Sequence, residues 1–506
     1  MNRALHSGSN CWRNGGNLGG KALLASISLV LAGCTVGPNY QRPAAPVPPS
    51  YQENGGTTST VPPPPPASAP NAAWKPAQPA DDVLRGKWWE LYGDPGLNSL
   101  EDKVAVSNQT LKAATGQYLA AREQVQISRA NYYPSLTLSP SSARDRVSQN
   151  RPLYVPGTKT LYTDTVIAGQ ASWEPDLWGT VRRTVEQSRS NAQASAADLA
   201  NVELSIRAEL ALDYFQLRGL DTDQQLLNDT VKAFQQSLQL TTNRFRGGIA
   251  TESDVALAQT QLQSTTAQSI DIAVARAQYE HAIATLIGVP ASSFALPAAP
   301  LDLALPQLPT GVPSALLERR PDVSAAERRT QAANAQIGIA IAAFYPTITL
   351  TGGGGFESTG AGNLFQGPSS LWSLGGSAAQ LLFDGGRRHA LTEQARRNYD
   401  AQTANYRESV LNAFQEVEDQ LAALRIYQQE AVSQQAAVLA ARHSTQISTN
   451  RYKGGTTNYL EVLTAQTVQL SNERTAADLT TRQFASSVQL VRALGGGWET
   501  SQLPKF

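Results

Sequence analysis

The chain has 506 residues, and its 41 Lys and Arg are balanced by 41 Asp and Glu. Such a balance excludes a nucleic-acid binder, which needs a basic face, and the length exceeds what one ordinary domain requires. With 2 cysteines, 4 histidines far apart and a single methionine, the sequence offers no disulfide framework, zinc spacing or thioether relay for soft metals.

In chain order, Arg3, Arg13 and Lys21 precede an apolar run from Ala22 to Ala32. About 11 apolar residues are too few to span a bilayer and suit the core of a signal peptide. The run ends in Leu31-Ala32-Gly33-Cys34, which resembles a bacterial lipobox. Residues 1–33 would then be removed and Cys34 would become the acylated first residue, each buried CH₂ adding membrane affinity. Removal takes three basic residues and no acid, leaving 38 basic against 41 acidic side chains. Thr35 rather than Asp follows Cys34, which for bacterial lipoproteins implies sorting to the outer membrane. Residues 34–87 form a Pro-rich tether, with Pro62 to Pro66 consecutive and of partly polyproline II character. Order returns at Trp88-Trp89-Glu90-Leu91-Tyr92-Gly93-Asp94-Pro95.

From there the chain repeats one plan, over 88–300 and again over 301–498, with a tail at 499–506. Asn131-Tyr132-Tyr133-Pro134 corresponds to Ala343-Phe344-Tyr345-Pro346, and Trp173 to Gly179 corresponds to Leu381 to Gly386. Asn243-Arg244-Phe245-Arg246-Gly247-Gly248 corresponds to Asn450-Arg451-Tyr452-Lys453-Gly454-Gly455, and Gln259 to Gln466, both at a spacing of 207 residues. Each copy opens with a helical stretch, 97–130 or 324–343. Two strand-like segments follow, 132–140 with 161–175, then 345–357 with 370–384. A long helical run without proline comes next, turns at the Gly-Gly pair and returns.

Leu199, Val202, Ile206, Leu210, Tyr214 and Leu217 form a narrow apolar seam at helical spacing, as do Val410, Phe414, Val417, Leu421 and Leu424. Roughly 65 helical residues reach about 100 Å, longer than any globular core. A plain coiled-coil rod leaves the strand segments without a home. In these, Ile348 and Leu350 oppose Thr347, Thr349 and Thr351, while Leu371, Ala379, Leu381 and Phe383 are expected on one face. No apolar window of helical length follows Cys34, so any spanning part must be a β-barrel. Four strands cannot close a barrel, since the smallest have about eight, and an open edge cannot face lipid. Several chains must therefore share one wall.

Taken with the lipobox, the Trp88 to Pro95 motif, Arg320-Pro321-Asp322-Val323-Ser324-Ala325-Ala326-Glu327, Ala332 to Gly338 and Phe344-Tyr345-Pro346, the chain resembles the TolC-type outer-membrane factor family, in its lipoprotein branch. The resemblance covers everything after the signal peptide and is most specific over 316–350. It implies an α+β membrane protein: a homotrimer sharing a 12-stranded antiparallel β-barrel, four strands per chain, with a long periplasmic α-helical barrel and a mixed equatorial collar. It further implies an efflux exit duct of a tripartite multidrug pump in the outer membrane. The partners would be a periplasmic adaptor protein and an inner-membrane RND-type pump. The chain would be a passive conduit and not an enzyme, with no cofactor beyond covalent lipid on Cys34 and no metal site. Protein secretion, metal export and a structural coiled-coil lipoprotein stand as alternatives.

The site residues follow from the same comparison. Arg246, Gly247, Gly248, Lys453, Gly454 and Gly455 are the adaptor-docking tips, although helix termination alone explains glycine there. Thr251 and Thr457 are expected to cap the returning helices. Asp254 and Glu461, equivalent positions on the first turns of those helices, suit the helix dipole; the resemblance adds a periplasmic gate with Arg451, and with Tyr452 as the constricting residue. Thr464 stands where many relatives carry a second acid. Trp173, Trp178, Trp372, Tyr132 and Tyr133 read either as an interfacial belt or as collar packing. Arg387, Arg388 and His389 read as a solvated helix start.

Overall fold

The computed structural model describes residues 35–53, 86–308 and 313–506. The signal peptide, Cys34 and most of the Pro-rich tether lie outside the described residues. The described elements are α1 (Pro95–Ser107), α2 (Gln109–Ala130), β1 (Ser135–Arg146), β2 (Leu161–Trp173), α3 (Thr180–Arg246), α4 (Glu252–Leu286), α5 (Pro321–Ala342), β3 (Thr347–Ser358), β4 (Ser370–Ala379), α6 (Arg387–Lys453) and α7 (Tyr459–Ala493), with short 3₁₀ turns and a single helical turn, Leu316–Arg319, between them.

The duplication holds at the level of elements. Both α3 and α6 have 67 residues, and both α4 and α7 have 35, each pair starting 207 residues apart. It also reaches individual atoms. The amide of Asn108 donates to the Leu286 carbonyl at 2.7 Å, and the Arg320 guanidinium donates to the Ala493 carbonyl at 3.2 Å. Past each of those carbonyls a left-handed glycine, Gly288 or Gly495, passes so close to the carbonyl of Ser107 or Arg319 that a Cβ would collide with it. The helix expected over 97–130 is broken at Asn108, whose extended backbone (φ −63°, ψ 125°) ends α1 while its side chain accepts from Leu111 N at 2.8 Å.

The chain forms two compact units, each drawing on both copies. Among the described residues, the first comprises 35–42, Ala121–Ala192 and Arg329–Thr403. Its sheet has the antiparallel order β1-β2-β3-β4. The register sets side chains in rows: Leu136, Ala171, Gly352 and Leu374 form one, and Leu138, Gly169, Gly354 and Trp372 the next. Bulky apolar groups on the two outer strands thus flank small residues on the inner two. The other face carries Thr137, Gln170, Gly353 and Ser373. Sequence reading had the faces of β4 reversed. Trp372 and Leu374, not Leu371 and Ala379, share the apolar face, and the strand ends at Ala379, before Leu381 and Phe383. Glycine and serine fill half of this strand, so no alternation was visible to set its phase.

Asp176 and Asp384 secure the starts of α3 and α6. Asp176 accepts from Val181 N and Arg182 N, each at 3.0 Å; Asp384 accepts from Gly386 N and Arg388 N, each at 3.1 Å. Arg387 and His389 are exposed, as expected of a solvated helix start, whereas Arg388 meets Asp384 at 2.7 Å with both side chains nearly buried. Its guanidinium and the two backbone donors hold the Asp384 carboxyl below the usual range.

Among the described residues, the second unit comprises 43–53, 86–120, 193–308, 313–328 and Ala404–Phe506. Its core gathers Trp88, Trp89 and Tyr92 with Phe215 of α3 and Phe484 of α7, the Phe215 and Phe484 rings lying 4.8 Å apart. Tyr92 Oη hydrogen-bonds Ser487 Oγ at 2.8 Å, and Tyr214 Oη donates to Asp94 at 2.6 Å. The Trp-Trp motif is therefore a packing device. The apolar seam expected on the long helices supplies Leu210, Leu217, Val410 and Val417 to this core, all fully buried.

Candidate functional site

Two features bear on function: the open sheet of the first unit and the paired helical tips of the second.

The sheet has no closure of its own. β1 is exposed along its whole length, and Leu136, Leu138, Trp372 and Leu374 are 69–81% exposed. Water does not tolerate such an apolar row, and lipid does not tolerate the unpaired outer edges of β1 and β4. Alternating apolar and polar faces are what a membrane barrel wall requires. Tyr133 is 73% exposed beside the start of β1, while Trp173 and Trp178 donate their indole N–H to the carbonyls of Tyr132 and Pro346 at 3.0 and 2.7 Å. Trp178 also stacks on Tyr345 at 4.8 Å. Trp372 and Tyr133 thus suit a belt, and Trp173 and Trp178 are tied to the backbone below the strands.

The tips are built by backbone chemistry. Gly248 N donates to the Phe245 carbonyl at 2.9 Å and Ile249 N to the Arg244 carbonyl at 2.8 Å; Gly455 N and Thr456 N repeat this on Tyr452 and Arg451 at 3.0 and 2.9 Å. This is a Schellman closure, which needs a left-handed residue. Only the second glycine of each pair has positive φ, +72° at Gly248 and +74° at Gly455. Thr251 caps α4 in a reciprocal box with Asp254. The second returning helix departs from expectation: Asn458, not Thr457, accepts from Glu461 N, and Thr457 turns its hydroxyl to the Glu461 carboxylate.

Arg246, Gly247, Gly248, Lys453, Gly454 and Gly455 are all exposed. Asp254 is occupied by its own cap. Glu461 is held by Arg451 at 2.6 Å. Tyr452, expected as a constricting residue, is 3% exposed; its ring packs edge-on against Tyr459 at 5.6 Å and its hydroxyl reaches Thr241 at 3.4 Å. Ala258, Tyr459 and Val462 enclose it, and its contacts with Thr241 and Arg244 link the two hairpins.

Sequence reading missed Arg244, which lies over the Tyr452 ring at 4.7 Å and donates to the Lys453 carbonyl at 3.1 Å, joining the two tips. Its equivalence to Arg451 was the available signal. Further along, Gln466 donates to Ser237 at 3.2 Å and Arg474 meets Asp223 at 2.8 Å. No spacing rule predicts which residues meet across two hairpins.

The comparisons with known proteins agree with this architecture. The family described as "Outer membrane efflux protein" matches residues 100–289 and 312–496. The chain is 31% identical over 482 residues to the toluene efflux pump outer membrane protein TtgC of Pseudomonas putida, covering 94% of this chain and 95% of that one. It is 31% identical over 477 residues to outer membrane protein OprJ of Pseudomonas aeruginosa, covering 94% and 95%. Among solved structures, the outer-membrane channel OprN superposes with a TM-score of 0.81 at 30% identity, covering 92% of this chain and all of that one. The chain has the fold of a TolC-like channel subunit and belongs to the outer membrane efflux protein family.

Proposed function

We propose that three copies close a 12-stranded barrel and that the resulting duct passively carries amphiphilic small molecules, such as drugs or organic solvents, out through the outer membrane. The observation that carries this reading is the four-stranded sheet with one exposed apolar face and two bare edges. Energy comes from an inner-membrane RND-type pump, linked by a periplasmic adaptor that docks on the exposed tips around Gly248 and Gly455. The relatives named for toluene and antibiotic efflux favour small molecules over secreted protein or metal.

Asp254, Glu461 and Arg451 form the charged rim of the periplasmic mouth in this reading, and Tyr452 stiffens it from within. Acylation of Cys34 anchors the chain. Supporting this, Thr35 packs against Gly179, and Val36 N donates to the Trp178 carbonyl at 3.2 Å. Residue 35 thus lies beside the segment that follows β2, which supports an anchor near the base of the strands. The test is accumulation of an amphiphilic dye in cells lacking the gene. Wild-type chain should lower it, and a chain lacking 161–173 should not; equal accumulation with and without wild-type chain would overturn the proposal.

A further inference from the structure

The apolar face of the sheet is not evenly filled. Gly169, Gly352 and Gly354 lie side by side on the inner strands and floor a recess of about 670 Å³. Leu136 and Leu138 wall it on β1, and Trp372 and Leu374 wall it on β4, three strand spacings or about 14 Å away. Glycine weakens the interior of a strand and often marks a place where another group approaches closely. Nothing among the described residues makes that approach to Gly169 or Gly354. None of the three glycines has a positive φ. A Cβ at Gly169 would meet only the Gly354 carbonyl, at 3.8 Å, and one at Gly354 only Leu371 and Trp372, at 3.7 and 4.0 Å, which are ordinary contacts. Gly355, by contrast, could not carry a Cβ, which would strike the Ile167 carbonyl.

The foot of the recess is basic. Trp173 follows Ala171 on the same face of β2 and turns its indole N–H to the Tyr132 carbonyl. The charges of Asp176, Arg189, Arg182 and Arg129 all act on the Tyr132 phenol, so the four lie close around it. Asp176 and Arg182 are paired with each other at 3.0 Å. Among the described residues Arg129 and Arg189 meet no carboxylate, whereas Arg122, Arg183, Arg388, Arg396 and Arg397 of the same unit each meet one. Arg189 is exposed and Arg129 half-buried. The end of α2 favours Arg129 on its own; Arg189, well inside α3, gains nothing from a helix end. Two such guanidiniums beside a tyrosine, at the foot of an open apolar recess, match the two parts of a phospholipid.

We infer that each copy holds one anionic phospholipid, its acyl chains in the glycine-floored recess and its phosphate on Arg129 and Arg189. The inference rests on the reading of this sheet as part of an outer-membrane barrel. In that reading the helices lie on the periplasmic side, so the foot of the recess meets the leaflet built of phospholipid. The occupant is a lipid and not a second copy, because copies meet along the edges of β1 and β4 and the recess lies on the face between those edges. Guanidinium binds phosphate through two parallel hydrogen bonds, a geometry that Lys does not offer. Charge selects among lipids: two cations with no carboxylate partner favour a headgroup of net negative charge over a zwitterionic one. Valine on the floor would occupy the space of the acyl chains and leave the backbone pairing of β2 with β3 intact.

The test uses the full, processed protein in mild detergent and native mass spectrometry, with dioleoyl phosphatidylglycerol and dioleoyl phosphatidylethanolamine added in turn. The wild-type trimer should retain up to one phosphatidylglycerol per copy at concentrations where phosphatidylethanolamine is lost. Arg129→Gln with Arg189→Gln should lower phosphatidylglycerol retention about tenfold or more and erase the difference between the two lipids. Gly169→Val with Gly354→Val should lower retention of both. Arg122→Gln with Arg397→Gln, which removes two arginines that already have partners, should change neither. A chain exported with an ordinary signal peptide and carrying Cys34→Ser should bind phosphatidylglycerol as the wild type does; binding seen only in that variant would give the recess to the chain's own acyl group and overturn the inference. A trimer that retains both lipids alike, or whose preference survives the loss of Arg129 and Arg189, would overturn it too. A wild-type particle of one copy would instead remove the barrel, and the inference with it.

Discussion

Arg320 offers the sharpest energetic test of the duplicated junction. Its residue is 7% exposed, and its guanidinium donates to both oxygens of Asp322 at 3.0 and 2.6 Å, to Glu416 at 2.7 Å and to the Ala493 carbonyl. Removing one member of a buried ion pair costs about 3–5 kcal/mol when a bare charge is left behind. Here the Asp322 and Glu416 side chains retain 31% and 41% exposure and can rehydrate. Arg320→Ala is therefore expected to cost about 2–3 kcal/mol, of which about 1 kcal/mol is the orphaned carbonyl. The first copy shows how to recover that part, since neutral Asn108 alone captures the Leu286 carbonyl. Arg320→Asn should then be about 1 kcal/mol less damaging than Arg320→Ala. Urea unfolding followed by tryptophan fluorescence reads this directly, because Trp88 and Trp89 lie in the same unit's core. An Arg320→Ala variant as stable as wild type, or an Arg320→Asn variant no better than Arg320→Ala, would refute the reasoning.

Further outcomes follow from the same geometry. Burial pushes the Glu101 carboxyl up to about 8 against the pull of Arg207, and burial with nearby Glu209 pushes Asp213 up to about 7. Both acids keep protons in the folded chain that the unfolded chain has released. Their contribution is full below the unfolded values of about 4 and is lost as pH rises through the folded ones, so Glu101→Gln with Asp213→Asn should flatten the fall in stability between those limits; an unchanged slope in melting temperature against pH would count against it. Gly248→Ala and Gly455→Ala, at left-handed positions, should each cost about 1–2 kcal/mol, whereas Gly247→Ala and Gly454→Ala should be near neutral, as thermal unfolding of the four variants can show. Cys34→Ser should remove metabolic incorporation of radiolabelled palmitate; retention of label would place the acyl group elsewhere.

Much of the architecture was legible because it depends on properties that sequence displays directly. Proline-free runs of helical periodicity gave α3 and α6, the Gly-Gly pairs gave both reversals, and the 207-residue spacing gave the duplication. What stayed hidden depends on side-chain reach. Thr457 and Asn458 are both good caps, and the 207-residue spacing, which carries the cap Thr251 onto Asn458, was the signal that picks Asn458. The phase of β4 was lost because Gly375, Gly376, Ser373 and Ser377 carry no signal. The burial of Tyr452 comes from the neighbouring hairpin, through Thr241 and Arg244, and no local pattern beside Arg451 displays it. The seam residues Asp223 and Arg474 lie 251 positions apart, beyond any local pattern.

A four-stranded sheet with bare edges cannot stand alone in lipid, and the shared barrel depends on that. Native mass spectrometry of the processed protein extracted from outer membranes into mild detergent addresses this most directly. Three copies per particle is the predicted result; a folded particle of one copy, with its strands intact, would contradict it.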